Sequence, residues 1–253
     1  MRTHGNWKLS LVVPLLFALT CFLAQPAAAE EGDPPSRAGR ISYLEGGVSF
    51  EPANTTDWTN ATLNRPMTVG DRLWVDADSK AEIQAGAAAL HLGEKTGVSF
   101  LNLDDKTIQV RMSEGALHLR VRELKDGEIY EVDTPNLAFT VTRAGTFRFD
   151  VNEAGDYTGI TALGGEGEVT AEGQTYHVSA GERAEFRGQE HLDYQTSDAP
   201  RPDHLDQWAT ERDLRGDRSE SAKYVSRDVT GYEDLDEYGD WREEPDYGPV
   251  WYP

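Results

Sequence analysis

The residues of this chain that could bind a metal or exchange protons are, first, its histidines. Five of them lie beyond residue 29: His91, His118, His177, His191 and His204. No two are spaced as His-x-His or His-x3-His, the separations at which one strand or helix turns two imidazoles toward one ion. His118 also alternates with Arg120 and Arg122, whose positive charges oppose a cation. We therefore expect solvated surface histidines, and we predict no metal site and no cofactor.

Acidic residues are numerous, with 45 Asp and Glu in 253 residues, but none stands in a recognisable catalytic motif. The chain has no Gly-x-Ser-x-Gly elbow and no Gly-x4-Gly-Lys phosphate loop. Gly164-Gly165-Glu166-Gly167 precedes a predicted strand rather than a helix, which argues against a dinucleotide site. Two carboxylates could act as the acid and nucleophile of a glycosidase, yet a sequence cannot place them at catalytic separation. We predict a protein that is not an enzyme, with a hydrolase as the remaining alternative.

The C-terminal segment carries the other residues suited to recognition, its aromatic side chains. Tyr238, Trp241, Tyr247 and Trp251 lie there among many acidic residues. Their rings combine an apolar face with a polar atom, which suits stacking on sugar rings or filling a partner's pocket. The same property would let them pack back on the preceding domain. They are candidate partner- or glycan-binding residues, and both interpretations remain open.

Alternation of apolar and polar residues predicts that a β domain over residues 39–194 positions these groups. Leu117, Leu119 and Val121 alternate with polar residues. Period-two geometry places them on a buried face and puts His118 and its two neighbouring arginines on a solvent face. Apolar alternation also flanks Asp104-Asp105-Lys106, which predicts a β-hairpin.

A second pair of strands is predicted around Arg143-Ala144-Gly145. Its apolar residues are Leu137, Phe139 and Val141 before the turn and Phe147, Phe149 and Val151 after it. Further short strands are expected near residues 41–50, 73–75, 81–84, 158–162, 168–171, 175–178 and 184–186. Turn signals recur about every 8–12 residues, the spacing of a sandwich or barrel. The predicted fold class is mainly β, a single sandwich of jelly-roll-like type.

Two segments of different composition flank this domain. Residues 30–38 have the composition of a linker, and residues 195–253 form an acidic C-terminal segment. A short amphipathic helix is predicted near residues 203–215, docked on the β domain by Leu205 and Trp208. The remainder of the segment is predicted to be an irregular, acidic and aromatic tail.

The first 29 residues predict a signal peptide and export from the cytoplasm. Basic residues precede an apolar stretch at 9–24, and small residues stand before a cleavage site between Ala29 and Glu30. The stretch is shorter than the roughly 20 apolar residues that span a bilayer, so cleavage is favoured over a retained anchor. Cleavage removes the only cysteine, Cys21, and two basic residues, which changes the formal net charge from −21 to −23. That charge argues against nucleic acid and anionic lipid as partners, and the mature chain is predicted to be periplasmic or secreted, with no membrane span.

Several short motifs of the predicted β domain occur in the order and spacing of a known family. They are Leu44-Glu45-Gly46-Gly47-Val48, Val69-Gly70-Asp71-Arg72-Leu73, Glu114-Gly115-Ala116-Leu117, Asp133-Thr134-Pro135-Asn136-Leu137-Ala138, Ala144-Gly145-Thr146-Phe147 and Ser179-Ala180-Gly181-Glu182. Over residues 39–188 the chain resembles the FecR domain, a β-rich extracytoplasmic module of bacterial regulators and cell-envelope proteins. Its Tyr- and Trp-rich C-terminal segment resembles an exported subgroup of that family.

Two differences from the family pattern limit what the resemblance implies. Regulators with this domain carry a cytoplasmic N-terminal segment that contacts a sigma factor. Here eight residues precede the apolar stretch, which argues against that contact. The family often has Arg-Gly-Thr-x-Phe, whereas here Ala144 separates Arg143 from Gly145. A bulge or a shifted strand face is expected at that point.

The function predicted from these observations is non-enzymatic binding in the bacterial cell envelope, with envelope signalling as one form of it. The partner would be an envelope protein or a cell-wall polymer. It would be met at an open sheet edge by β-augmentation, or by the aromatic tail. The alternative is a carbohydrate- or cell-wall-binding protein that uses the C-terminal aromatic residues.

Overall fold

The computed structural model describes residues 37–189 and 191–253. The predicted signal peptide, its cleavage site between Ala29 and Glu30, and the linker up to residue 36 lie outside the described residues. Within the described ranges, no helix is both long enough and apolar enough to cross a membrane.

Fifteen β-strands form one continuous sheet, and the strand order shows that this sheet folds into two layers. Three long strands take part in both layers, each bending midway: β9 (Thr107–Val121), β11 (Ala138–Val151) and β12 (Tyr157–Ala171). The fold class is therefore mainly β, as predicted, with a short helix after the sheet.

The two layers share these three strands and differ in all the others. Layer 1 runs from edge to edge through β4 (Pro66–Met67), β1 (Gly39–Glu45), β6 (Lys80–Ala85), β7 (Ala88–Leu92), the second halves of β9 and β11, the first half of β12, β14 (Glu182–Arg187) and β15 (Asp193–Asp198). Layer 2 runs through β3 (Thr59–Asn60), β2 (Val48–Glu51), β5 (Arg72–Val75), β8 (Thr96–Leu103), the first half of β9, β10 (Ile129–Asp133), the first half of β11, the second half of β12 and β13 (Gln174–Ser179). Pairing is antiparallel except between β9 and β10, which are parallel.

The bends in β11 and β12 lie side by side because the two backbones approach closely there. A Cβ atom on Gly145 would lie 2.2 Å from the Gly164 carbonyl oxygen. The pairing register shifts next to Arg143 and again at Thr146, which is the bulge expected around Ala144. The prediction of two strands separated by a turn at residues 143–145 was wrong, since β11 continues through these residues and only changes layer.

The core lies between the two layers and consists of alternating aliphatic and aromatic side chains. Leu117, Leu119 and Val121 are buried, as their alternation predicts. Phe139 of layer 2 meets Phe147 of layer 1 with ring centroids 5.2 Å apart. Each such side chain contributes about 1.5–3 kcal/mol of transfer free energy when it is fully buried. The two layers therefore share one hydrophobic core.

The predicted hairpin between β8 and β9 is confirmed. Asp104 accepts hydrogen bonds at Oδ1 from the backbone N–H groups of Lys106 and Thr107, each at 2.8 Å. A short polar side chain that bonds the backbone two residues on forms an Asx turn. This local chemistry explains why the polar cluster at residues 104–106 reverses the chain.

Tyr130 on β10 carries a buried hydroxyl group. Its side chain is 1% exposed, and its hydroxyl has no hydrogen-bond partner among the described residues. Burial, helped by the charge of Glu128, raises the pKa of Tyr130 from 10.0 to about 12. Between about pH 10 and 12 the unfolded chain loses this proton while the folded chain keeps it, so the free energy of unfolding falls by about 3 kcal/mol.

We expect Tyr130→Phe to abolish this alkaline loss. The variant should also raise the free energy of unfolding at pH 7 by about 1 kcal/mol, because it buries no unsatisfied hydroxyl. Urea unfolding across this pH range measures both effects. Tyr238→Phe, at a site that is 71% exposed, is the control and should change neither. Equal alkaline loss in Tyr130→Phe and the parent chain would contradict the argument.

The C-terminal segment begins after β15, which extends beyond residue 194 to Asp198. Helix α1 (His204–Asp217) follows, and Asp203 and Asp206 cap it by each accepting the other's backbone N–H at 3.0 Å. The remaining elements are helical turns at Ser221–Lys223 and Tyr232–Asp234, the short helix α2 (Leu235–Tyr238), and a hairpin of β16 (Asp240–Glu244) and β17 (Gly248–Tyr252). The tail is thus less irregular than predicted, because Trp241 and Trp251 pair across this hairpin.

Candidate functional site

The two sides of the sandwich end in different kinds of edge strand. On one side the edges are β3 and β4, each two residues long, and β4 begins with Pro66. On the other side β13 and β15 are each six residues long, and no further described strand pairs with their outer sides. Proteins usually shorten an edge strand or place Lys or Pro on it, because an open edge pairs with other chains. Neither residue type occurs in β13 or β15, so this side presents two open edges.

β15 offers backbone hydrogen-bonding groups along its free side. All six of its residues are exposed, and it pairs with β14 without a register shift. The Ala199 N–H donates to the Gly181 carbonyl oxygen on the β14 side at 2.8 Å. Backbone groups alternate between the two sides of an antiparallel strand. Those of Tyr194 and Thr196 therefore point away from β14, toward the place of an added strand.

An aromatic cluster supports this edge from within. The Tyr194 ring lies against Phe186 of β14 and Tyr176 of β13, with centroids 5.0 and 4.6 Å apart. Because β13 belongs to layer 2 and β15 to layer 1, the cluster joins the two layers at this side. Tyr194 remains 37% exposed, which leaves an apolar contact beside the free backbone groups.

Acidic residues surround the same edge. Asp193 and Asp198 stand at the ends of β15, and Glu182 and Glu185 lie on the neighbouring β14. The formal net charge of −21 also repels acidic partners and attracts basic ones over a longer range. An extended partner segment with neutral or basic side chains therefore fits this edge better than an acidic one.

The outer face of layer 1 differs most from the sequence-based expectation. His118 on β9 and His91 on β7 stand opposite each other and are fully buried. The prediction of solvated histidines was wrong for these two, because α1 lies across this face and brings Arg212 and Asp213 onto it. The remaining histidines, His177, His191 and His204, are exposed.

The most extensively bonded pair beneath α1 joins Arg212 to Glu82 of β6. Arg212 donates from Nε to Oε2 at 2.6 Å and from Nη2 to Oε1 at 3.2 Å. Ser42 and Gln84 donate to the same carboxylate at 2.6 and 3.0 Å. Burial alone would raise the pKa of Glu82, but the nearby His91 and the two hydrogen bonds from Arg212 outweigh it and hold that pKa well below its ordinary value. Glu82 is therefore ionised, and it acts as the anchor of the helix.

Further ion pairs fasten both ends of α1. Arg148 of β11 donates to Asp203 at 2.6 Å and to Asp206 at 3.0 Å, at the start of the helix. Arg122 donates to Asp217 at 2.9 Å, at its end. Arg122 was expected on a solvent face and is instead half-buried in this contact. The helix is thus held largely by charges on the polar face of layer 1.

The two residues predicted to dock α1 do contact the β domain, although both are only half-buried. The Trp208 ring lies 5.4 Å from that of Tyr43 and 5.5 Å from that of His91, centroid to centroid. Leu205 lies beside Gly93, where its Cδ2 would be 3.1 Å from an added Cβ. The buried residues of the helix are Asp206, Ala209, Asp213 and Gly216.

The two tryptophans of the candidate aromatic set are engaged within the C-terminal segment. Trp241 stacks on Tyr224 with centroids 4.4 Å apart and donates from Nε1 to Ser221 Oγ at 2.8 Å. Trp251 donates from Nε1 to the Leu235 carbonyl oxygen at 3.1 Å. These contacts stabilise the tail itself.

The two tyrosines of that set present open faces. Tyr238, at the end of α2, is 71% exposed, and Tyr247, in the turn between β16 and β17, is 83% exposed. Of the four candidate aromatic residues, these two have faces that a sugar ring could reach without rearrangement.

Solved structures include chains that are similar to this one. No family model matches the chain, and no curated protein matches it. Two crystal structures from Parabacteroides distasonis, each described as a "putative anti-sigma factor", are 14% and 13% identical to it. They have TM-scores of 0.46 and 0.42, and the matches cover 72% and 74% of this chain and 97% and 96% of theirs. The function proposed for this chain therefore rests on its own residues.

Proposed function

We propose that this chain is an exported, FecR-like and non-enzymatic binding module of the bacterial cell envelope, which adds an extended segment of an envelope protein to β15 as a further strand. The observation that carries the proposal is the form of that edge: six exposed residues in regular pairing with β14, with no Lys or Pro. Strand addition draws its affinity from main-chain hydrogen bonds, and its specificity from alternate side chains.

The residues behind the family resemblance support the FecR-like part of the proposal. Gly115 has φ of 101° where β9 bends, and Gly145 meets Gly164 where β11 bends. Asn136 donates from Nδ2 to the Gly188 carbonyl oxygen at 3.1 Å, and its Oδ1 accepts from Thr158 Oγ1 at 2.7 Å. These three motif residues, Gly115, Gly145 and Asn136, thus stand at strand bends or bond neighbouring segments of the fold.

The buried charged residues are paired with one another, and this pairing favours binding over catalysis. Glu82 is held ionised by Arg212 and His91, and Arg148 and Arg122 are each committed to two helix carboxylates. A general acid or base needs a pKa near the working pH and access to a substrate. These groups instead attach the C-terminal segment to the sheet.

Substitution of Thr196 by proline tests the proposed edge. Thr196→Pro removes an N–H that points away from β14, so the sheet should keep its own hydrogen bonds while the added strand loses one and meets the proline ring. We expect the immobilised mature chain to retain an envelope protein from membrane and periplasmic extract. Thr196→Pro should lower this retention at least about tenfold, which corresponds to 1.4 kcal/mol.

Thr196→Ala is the matched control, since it keeps the backbone N–H and should retain the partner. Equal retention by the proline variant, or no protein retained above a blank surface, would contradict strand addition at β15. Retention on purified cell-wall polymer that is lost in Tyr238→Ala and Tyr247→Ala would instead favour the carbohydrate-binding alternative.

A further inference from the structure

Three side chains that can ligate a metal meet beneath α1. His91 and His118 come from adjacent strands, and Asp213 comes from the helix. Each offers one ligand atom, and these atoms all lie within 4.8 Å of one another. All three residues are buried, with both histidines at 0% exposure. Two strands and a helix thus bring imidazole and carboxylate groups to one point.

The bonding of His91 leaves one ring nitrogen free for an ion. Its Nδ1 lies 3.3 Å from the His118 carbonyl oxygen, which can only accept a hydrogen bond, so a single proton on Nδ1 would leave the Nε2 lone pair free to ligate. A histidine that binds metal through one nitrogen usually donates the other N–H to a carbonyl or carboxylate. Nε2 is buried without a hydrogen-bond partner among the described residues.

The distances around His91 Nε2 suit an ion better than a hydrogen bond. Asp213 Oδ1 lies at 3.6 Å and Glu82 Oε2 at 3.5 Å, beyond the usual range for an N–H···O bond. Two ligands at about 2.0–2.1 Å from one tetrahedral zinc ion lie about 3.4 Å apart. The separation of 3.6 Å between His91 Nε2 and Asp213 Oδ1 is therefore close to that of two ligands of one ion.

His118 supplies the second imidazole. Both of its ring nitrogens are buried, and neither bonds any described group. The neutral form of an imidazole is the one that binds metals. A fully buried imidazole with two unused nitrogens is costly unless something occupies one of them.

We propose that His91, His118 and Asp213 form a binding site for a divalent transition-metal ion, with zinc as the best fit. Two imidazoles and one carboxylate are a ligand set that Zn²⁺ accepts in tetrahedral geometry, with a water or a further group in the fourth position. A cavity of about 210 Å³ lies beside His118 and Asp213.

Charges of both signs surround the site, and Arg212 already pairs with Glu82. Asp213 and Glu82 supply two negative charges within 3.6 Å of His91 Nε2. Arg122 lies 3.5 Å from Asp213 Oδ1, but its shorter bond goes to Asp217 at 2.9 Å. Asp213 can therefore turn to an ion while Arg122 remains paired. Because the ligands come from β7, β9 and α1, the ion would fasten the C-terminal segment to layer 1.

Zinc titration of the tag-free, chelator-treated full mature chain tests the proposal. Competition with a chromophoric chelator measures stoichiometry and affinity, and we expect one Zn²⁺ per chain. His118→Gln and Asp213→Asn should each lower the affinity by at least about 100-fold, because losing even an outer-shell partner costs about 10–100-fold. His177→Gln, at an exposed histidine, is the matched control and should bind as the parent chain does.

A second measurement keeps the test decisive if the two variants fold poorly. Co²⁺ added to the parent chain should give the intense visible absorption of a four-coordinate site, which one equivalent of Zn²⁺ should abolish. Weak, octahedral-type absorption would overturn the proposal. Stoichiometry well below one, or equal affinity in folded His118→Gln and the parent chain, would also overturn it.

Discussion

Replacing Leu119 with aspartate is expected to unfold the sandwich. Leu119 is 3% exposed and lies on β9 between Leu90 of β7 and Phe147 of β11. The substitution removes a buried side chain worth about 2–5 kcal/mol and places a carboxylate in the core, which costs several kcal/mol more. The sum is comparable to the whole stability of a typical domain, about 5–15 kcal/mol. Circular dichroism at 25 °C should show loss of the β signal and of the cooperative thermal transition.

Leu63→Asp is the matched control for this substitution. Leu63 is 55% exposed between β3 and β4, so the same chemical change should shift the melting temperature little. A folded Leu119→Asp protein with a melting temperature near that of the control would contradict the assignment of Leu119 to the core. Arg120, the next residue on β9, would be a poor control, because it bonds Thr146 and Asp217 at 3.1 Å.

Replacing Arg212 with leucine is expected to release α1 from layer 1. The variant leaves Glu82 at 2% exposure without its bidentate partner. Removing one member of a buried pair costs about 3–5 kcal/mol. The lower end, about 3 kcal/mol, applies here because Ser42 and Gln84 still donate to the carboxylate. Limited proteolysis should cut the segment between β15 and α1 far faster than in the parent chain, while the β core remains intact.

Arg201→Leu is the control for the released helix, since Arg201 is an exposed arginine on the same segment. It should leave the cleavage rate unchanged. The double variant Glu82→Leu with Arg212→Leu should recover much of the lost docking, because it leaves no buried charge unpaired. Cleavage of Arg212→Leu at the parent rate would show that the ion pairs do not hold the helix.

Alternation along single strands made the sandwich predictable. The Leu117, Leu119 and Val121 pattern is local, and so is the Asx turn of Asp104 between β8 and β9. The bend of β11 was not predictable, because a charged residue followed by Ala-Gly is equally typical of a turn. Only the approach of Gly164 on a neighbouring strand shows that the chain continues through Gly145 as a bulged strand.

The sequence contains a pattern that indicates the two buried histidines, although the His-x-His and His-x3-His spacings do not detect it. Leu90-His91-Leu92 and Leu117-His118-Leu119 are the same tripeptide, and the two pair in register across β7 and β9. Period-two geometry correctly turns both imidazoles to the face opposite the leucines. Whether that face meets water or protein depends on α1. The buried positions of α1 include Asp206 and Asp213 as well as Ala209, so the helix lacks the apolar stripe that identifies a docking face.

The position of the open edge could not be predicted from the sequence. β15 is the polar stretch Asp-Tyr-Gln-Thr-Ser-Asp, which extends past the predicted end of the domain, and it has no apolar alternation. A strand of this composition forms because β14 offers it a ladder of backbone groups. Its position as an edge follows from the order of strands in the whole sheet, which no local pattern contains.

Site-specific photo-crosslinking in cells tests binding at β15 most directly. A photoreactive amino acid at position 196 lies on the free edge, and one at position 63 lies on the opposite side of the sandwich, between β3 and β4. We expect a discrete covalent adduct with an envelope protein from position 196 and none from position 63. No adduct from position 196, or the same adducts from both positions, would contradict it.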